Sequence, residues 1–209
     1  MKRFLLLIVA ATMILPSNAE AKRRETPDEI EQKTRHYAGW EWGVSARANF
    51  IFYELERSKI VGEDAVRAYK TQSKFGGSAM VNVGYFLNNH WKIGAELGAQ
   101  IQYNHTVVPL YASVHYYYGK RKNCLFNFVN LGTNILFDKG LRFGSTCAGG
   151  VGYRIQSPTA RHKFDIMLGY QALLTNPRPK IEGSFSFDKR DVNLKEFNQS
   201  IFIGLGISF

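Results

Sequence analysis

The sequence predicts an all-β protein, an eight-stranded antiparallel up-and-down transmembrane β-barrel. Three observations carry this reading. Apolar residues recur with period two over stretches of about 10–13 residues, roughly twice the 5–6 of an ordinary soluble strand. The 209 residues include 19 Gly, 15 Phe and 11 Tyr, a composition of tightly packed barrels and too aromatic for a disordered chain. The longest apolar run, Phe4 to Leu15, falls short of the ~18 residues a membrane-crossing helix needs, which excludes a helical membrane protein.

Residues 1–21 read as a secretory signal peptide. Lys2 and Arg3 form a positive start, Phe4 to Leu15 an apolar stretch, and Ala19-Glu20-Ala21 a small-residue cleavage site. Residues 22–36 read as an N-terminal periplasmic arm. Thr26 followed by Pro27, Asp28 and Glu29 is a capping-box start for a short helix, and the high charge equally suits a tail without structure.

The barrel is predicted over 37–209. From Trp40 to Phe52 the even positions Trp40, Trp42, Val44, Ala46, Ala48, Phe50 and Phe52 are all apolar, while Glu41, Ser45, Arg47 and Asn49 lie between them. The second strand alternates Phe75, Ala79, Val81, Val83, Tyr85 and Leu87 with small or polar partners, and the third alternates Trp91, Ile93, Ala95, Leu97, Ala99, Ile101 and Tyr103 with Lys92, Glu96 and Gln100. The fourth places Val108, Leu110, Ala112, Val114, Tyr116 and Tyr118 opposite Tyr111, His115 and Tyr117. The fifth, about Cys124 to Leu136, turns Leu125, Val129, Leu131, Thr133 and Ile135 outward, with Asn127 as an exception. The sixth carries Phe143, Cys147, Val151, Tyr153 and Ile155 on one face. The seventh sets Phe164, Ile166, Leu168, Tyr170 and Ala172 against Lys163, Asp165, Met167 and Gly169. The last sets Phe197, Ile201, Ile203, Leu205, Ile207 and Phe209 against Phe202, Gly204 and Gly206.

Such strands cross a bilayer when tilted. Connections 88–90, 119–123 and 156–162 form one end. Segments 53–74 and 174–195 are long loops at the other end, with 104–107 and 137–142 short.

A soluble barrel with a greasy interior is the structural rival. Three features oppose it. The apolar face ends in aromatics: Trp40, Trp42, Tyr85, Trp91, Tyr116, Tyr118 and Tyr153 at one interface, with Phe50, Phe52, Phe75, Tyr103 and Phe143 at the other. Glycine concentrates on the polar face, as a narrow lumen requires, and few charges occupy that face.

The leader, the eight alternating strands and the terminal Phe209 together resemble the small Gram-negative outer-membrane β-barrel proteins of OmpA/OmpX-like architecture, over about 37–209. The resemblance implies an outer-membrane location and contact with membrane lipids and lipopolysaccharide. It also implies that Ile203, Leu205, Ile207 and Phe209 serve as the signal read by the barrel-assembly machinery. This family shares a fold more than an activity.

The formal charge is +10, but the basic residues are scattered, so a polyanionic membrane surface suits the chain and nucleic acid does not. A lipid-modifying enzyme needs a wall-facing His with a Ser in reach, and His36, His90, His105, His115 and His162 are each placed elsewhere. Glu63-Asp64 is a lone acidic pair. No cofactor or metal is expected, because the His residues share no ligand spacing and Cys124 and Cys147 lack His neighbours.

The polar face does carry Glu41, Arg47, Lys92, Glu96, Arg154, Lys163 and Asp165, with Tyr111, His115 and Tyr117. Buried charges must be paired. They therefore read as a network filling the lumen, in which Arg47 pairs with Glu96 directly or through Tyr111 or His115. A gated narrow pore is the alternative. Cys147 is expected opposite residue 131, too far from Cys124 for a disulfide. Three functions stay open for this monomer: a structural or surface-interaction barrel acting through its long loops, a narrow transport or small-ligand-binding barrel, and a lipid-modifying enzyme.

Overall fold

A computed structural model of the protein describes residues 34–60, 66–70, 74–102, 105–137, 141–156, 162–176 and 192–209. The signal peptide, residues 22–33, Tyr103 and Glu63-Asp64 lie outside the described residues. The described strands are β1 (Gly39–Ile60), β2 (Val66–Lys70), β3 (Lys74–Phe86), β4 (Trp91–Gln102), β5 (His105–Tyr117), β6 (Cys124–Phe137), β7 (Leu141–Gln156), β8 (Lys163–Thr175) and β9 (Val192–Ser208). The eight long strands pair with their sequence neighbours, and β1 closes the sheet on β9. The result is an antiparallel up-and-down barrel, as the alternation predicts.

The register explains why the pattern is so regular. Ala46 lies opposite Ala79 on β3 and Leu205 on β9, so each circumferential row keeps one parity and one face. Cys147 lies opposite Leu131. Cys124 points inward and is buried while Cys147 is exposed on the wall, and neither thiol is bridged. Asn127 does face outward, and its Nδ2 donates to the Tyr118 hydroxyl at 2.6 Å, which satisfies part of its amide on an apolar wall.

The β3–β4 and β5–β6 turns lie at one end of the barrel, the terminal end, where Phe209 also lies. At the β3–β4 turn the Asn88 carboxamide accepts from the amides of His90 and Trp91 at 2.8 and 2.9 Å, a local side-chain closure. The β5–β6 turn uses Gly119 at φ +69°, a conformation that costs other residues strain.

The opposite end departs from the sequence reading. The predicted loop 53–74 is in large part strand: β1 continues to Ile60 and pairs with β9 as far as Val192, while β2 adds to its other edge. A bulge between Ile51 and Tyr53 shifts the side-chain parity. The period-two signal ends there, although backbone pairing does not. The segment 174–195 is likewise shortened, since β8 reaches Thr175 and β9 begins at Val192. The predicted connections 104–107 and 137–142 are also invaded by strand: His105 starts β5 instead of lying in a loop, β6 reaches Phe137 and β7 begins at Leu141.

The two faces differ chemically. Outside, Leu205, Ile203, Leu131, Val81 and Leu97 are exposed. Aromatic contacts band both ends of that wall. Trp42 stacks on Phe209 at 4.5 Å and Trp91 meets Tyr116 at 4.8 Å at the terminal end, and Phe50 meets Phe75 at 5.3 Å at the other. An exterior of this kind is costly in water and suited to lipid.

Candidate functional site

Among the described residues, charge is concentrated in the lumen. Alternation sends the odd residues of β1 and β5 and the even residues of β4 and β6 inward. This brings Glu41, Lys92, Arg154, Lys163 and Asp165 together from β1, β4, β7 and β8. Glu41 is the hub. It takes Lys92 Nζ at 2.7 Å, the two terminal nitrogens of Arg154 at 3.0 and 3.1 Å, and Lys163. Arg154 turns its other edge to Asp165, its cross-strand neighbour, with Nε and Nη2 donating at 2.7 and 2.6 Å. Its planar fork thus serves two carboxylates at once, which a lysine could not do. Arg154 is 0 % exposed and Glu41 1 %, so each offsets a buried charge that would be costly if left uncompensated.

Midway up the barrel Arg47 pairs directly with Glu96. Asn130 Nδ2 donates to the same carboxylate at 2.9 Å, and His115 Nε2 lies 3.8 Å from its other oxygen. The Arg47 guanidinium also sits over the Phe202 ring at 5.2 Å. Further from the terminal end a neutral layer follows. Gln100 and Gln171 exchange hydrogen bonds at 3.1 and 2.9 Å, Gln171 donates to the Tyr111 hydroxyl at 2.7 Å, and that hydroxyl meets Thr146 at 2.9 Å. Tyr111 therefore joins Gln171 and Thr146 rather than linking Arg47 to Glu96.

An aromatic chain running from the Glu41 cluster toward the Arg47–Glu96 pair is a feature absent from the sequence reading. Phe126, Phe128 and Phe202 form a chain of ring contacts at 6.2 and 6.0 Å, and His115 stacks on Phe126 at 5.7 Å. Glycines make room for it. Gly152 and Gly169 lie across the ladder from Phe126 and Phe202, and a Cβ on either glycine would run into the facing ring. Strand parity already places these phenylalanines inside. Reading the inward glycines together with their cross-strand aromatics was the available signal.

A second feature closes the terminal end. Thr34 bridges Arg121, and the Arg35 amide donates to Lys120 O at 2.7 Å. The Arg35 guanidinium is fully buried. It donates to Cys124 Sγ at 2.9 Å, Gly119 O at 2.8 Å and Tyr117 O at 3.3 Å, and approaches His90 Nδ1 at 3.4 Å. Tyr37 packs on Phe86 at 4.7 Å and Tyr117 at 5.9 Å, and its hydroxyl donates to Gln156 at 3.0 Å. Burial pushes the Tyr37 phenol up to about 12, although the nearby Arg154 acts in the opposite direction. No periodicity marks Arg35 or Tyr37, because both precede the first strand.

The girdle residues sit on the outer wall, with Trp40, Trp42, Tyr85, Trp91 and Tyr153 exposed and Tyr116 and Tyr118 partly covered by their neighbours. Ile203, Leu205 and Ile207 face outward on β9. Phe209 exchanges backbone hydrogen bonds with Trp42 at 2.8 and 3.3 Å. Among the described residues, no three His, Cys, Asp or Glu side chains converge as metal ligands would.

No family model matches the chain, and no curated protein matches it. Solved structures do. The outer membrane protein OprG from Pseudomonas aeruginosa superimposes with a TM-score of 0.53 at 12% identity, covering 85% of this chain and 98% of that one. The fold is that of an outer-membrane β-barrel. Neisserial surface protein A matches at a TM-score of 0.39 and 15% identity over 78% of this chain and 95% of its own. AlkL, solved in lipid bilayers, matches at 0.44 and 12% identity over 93% and 96%.

Proposed function

We propose that the protein is an integral outer-membrane barrel with a closed, side-chain-filled lumen. Its role is structural or surface-interacting, through the segments around 53–74 and 174–195. The single observation that supports this most is the lumen itself. Two ionic clusters, a chain of aromatic rings and a glutamine–tyrosine cluster fill an interior that, at eight strands, is only wide enough for side chains. The Phe126, Phe128 and Phe202 rings add apolar bulk beside these paired charges, which leaves less room for a water-filled path.

In this reading the aromatic bands anchor the wall at the two lipid interfaces, and lipopolysaccharide and phospholipid are its neighbours. Ile203, Leu205, Ile207 and Phe209 serve recognition by the assembly machinery, the terminal end faces the periplasm, and the barrel acts as a monomer. No catalytic step is assigned to it.

Two measurements test the reading. Reconstituted in planar bilayers, the wild-type barrel is expected to give no stepwise ion conductance. Discrete conductance would favour the transport alternative. For the display role, the wild type and a variant lacking residues 57–73 are compared in a pull-down from intact cells. Loss of a specific partner on deletion supports the role, and identical recoveries oppose it.

A further inference from the structure

We propose that Thr34–Ala38 is a tethered stopper, seated in a guanidinium-accepting pocket that the two turns at the terminal end build from Tyr117 O, Gly119 O, His90 and the Cys124 thiol. This stopper shuts the mouth of the lumen against water. The inference rests on the closed-lumen reading and adds a second, separable closure to it.

Arg35 carries the argument. It is a fully buried cation whose partners, among the described residues, are carbonyl oxygens, a thiol, a histidine nitrogen and two aromatic faces. A guanidinium withdrawn from water needs several donors satisfied at once, and these acceptors converge on its two terminal nitrogens from β5, β6 and the β3–β4 and β5–β6 turns, with Nε left without an acceptor among the described residues. The pocket therefore suits the two-nitrogen end of a guanidinium better than a single ammonium point. Behind Arg35, Tyr37 covers the ionic cluster: the cations of Arg154 and Lys163 lie over its ring at 5.6 and 4.7 Å. The Tyr37 amide donates to Asn89 Oδ1 at 2.7 Å, which ties the segment to the β3–β4 turn as well.

The attachment is small. Among the described residues, its backbone attachment runs through the Arg35 amide in the Thr34–Arg121 bridge and the Tyr37 amide on Asn89, against barrel strands paired along their length. Segments with few backbone pairings open at lower free energy than the sheet they dock on. Release of the stopper would uncover Glu41, Arg154 and Cys124 while the Phe126–Phe128–Phe202 layer stays shut.

Cys124 is a native reporter of this closure, because Arg35 lies directly on its sulfur. In a Cys147→Ser background, the rate of Cys124 alkylation by a charged, water-soluble maleimide is measured in lipid vesicles. The folded barrel is verified in parallel by circular dichroism. Labelling should be slow with native Arg35 and should rise on the order of tenfold or more in Arg35→Ala, with Arg35→Lys in between, since a point charge cannot serve the same acceptors. If Arg35→Ala does not fold, Arg35→Lys alone decides, and a rate equal to wild type overturns the proposal. Fast labelling of the wild type overturns it as well. Wild-type conductance would instead defeat the closed-lumen reading. Slow labelling of a folded Arg35→Ala barrel would defeat the stopper alone.

Discussion

Replacing Glu96 with Ala tests the energetics of the lumen where they are most exactingly set. The Arg47 and Glu96 side chains are only 4 and 5 % exposed, so solvent screening does little to soften the loss of either. Glu96→Ala leaves Arg47 over the Phe202 ring without its carboxylate partner and deprives Asn130 Nδ2 of its acceptor. Breaking a buried pair in this way costs about 3–5 kcal/mol. Arg47→Ala should fall in the lower part of that range, because Asn130 still donates to Glu96. The double variant removes both charges together, so its loss should undercut the sum of the single losses by about 0.5–3 kcal/mol. Urea unfolding in lipid vesicles, followed by tryptophan fluorescence, supplies the four free energies of the cycle. Strictly additive losses would refute the claim that the two side chains stabilise each other across the lumen.

Other predictions follow from packing and register. Gly152→Ala should destabilise the barrel by about 1–3 kcal/mol, because the new methyl meets the Phe126 ring. Gly206→Ala, whose nearest contacts are ordinary at 3.5–3.6 Å, should lie within about 0.5 kcal/mol of wild type in the same assay. Phe202→Ala should cost about 3–5 kcal/mol, for the cavity it leaves and for the face it removes from Arg47; a value near zero would show the aromatic layer to be loosely packed. Leu131→Cys stands directly opposite Cys147, so mild oxidation should link that pair and leave Cys124 free. A mass map showing a Cys124 linkage would mean the β6–β7 register is wrong.

The wall was legible because membrane strands must alternate and this sequence alternates without interruption from Trp40 to Phe52 and again from Trp91 to Ile101. The same parity placed Glu41, Lys92, Glu96, His115 and Arg154 inside. What the period cannot reveal is how side chains from distant strands meet, and so the junction of Glu41 with Arg154 and Lys163 emerged only in three dimensions. Tyr111 was placed on the correct face, yet its hydroxyl serves Gln171 and Thr146. The extension of β1 to Ile60 was hidden by the bulge at Phe52, past which strand pairing rests on backbone groups that leave no hydropathy signature. Arg35 and Tyr37 were unreadable for a related reason: they act through single contacts at a mouth formed by turns far away in sequence.

An outer wall that faces lipid and ends in aromatic bands at the interfaces should respond to quenchers carried by the lipids themselves. The most direct measurement uses vesicles whose lipids carry quenchers at defined depths and reads Trp40, Trp42 and Trp91. All three lie at the terminal end of the wall and are exposed there. Quenching should be strongest from groups near the headgroups and weaker from groups at the bilayer centre. Quenching by aqueous reagents alone, with no response to lipid-attached ones, would contradict the membrane barrel.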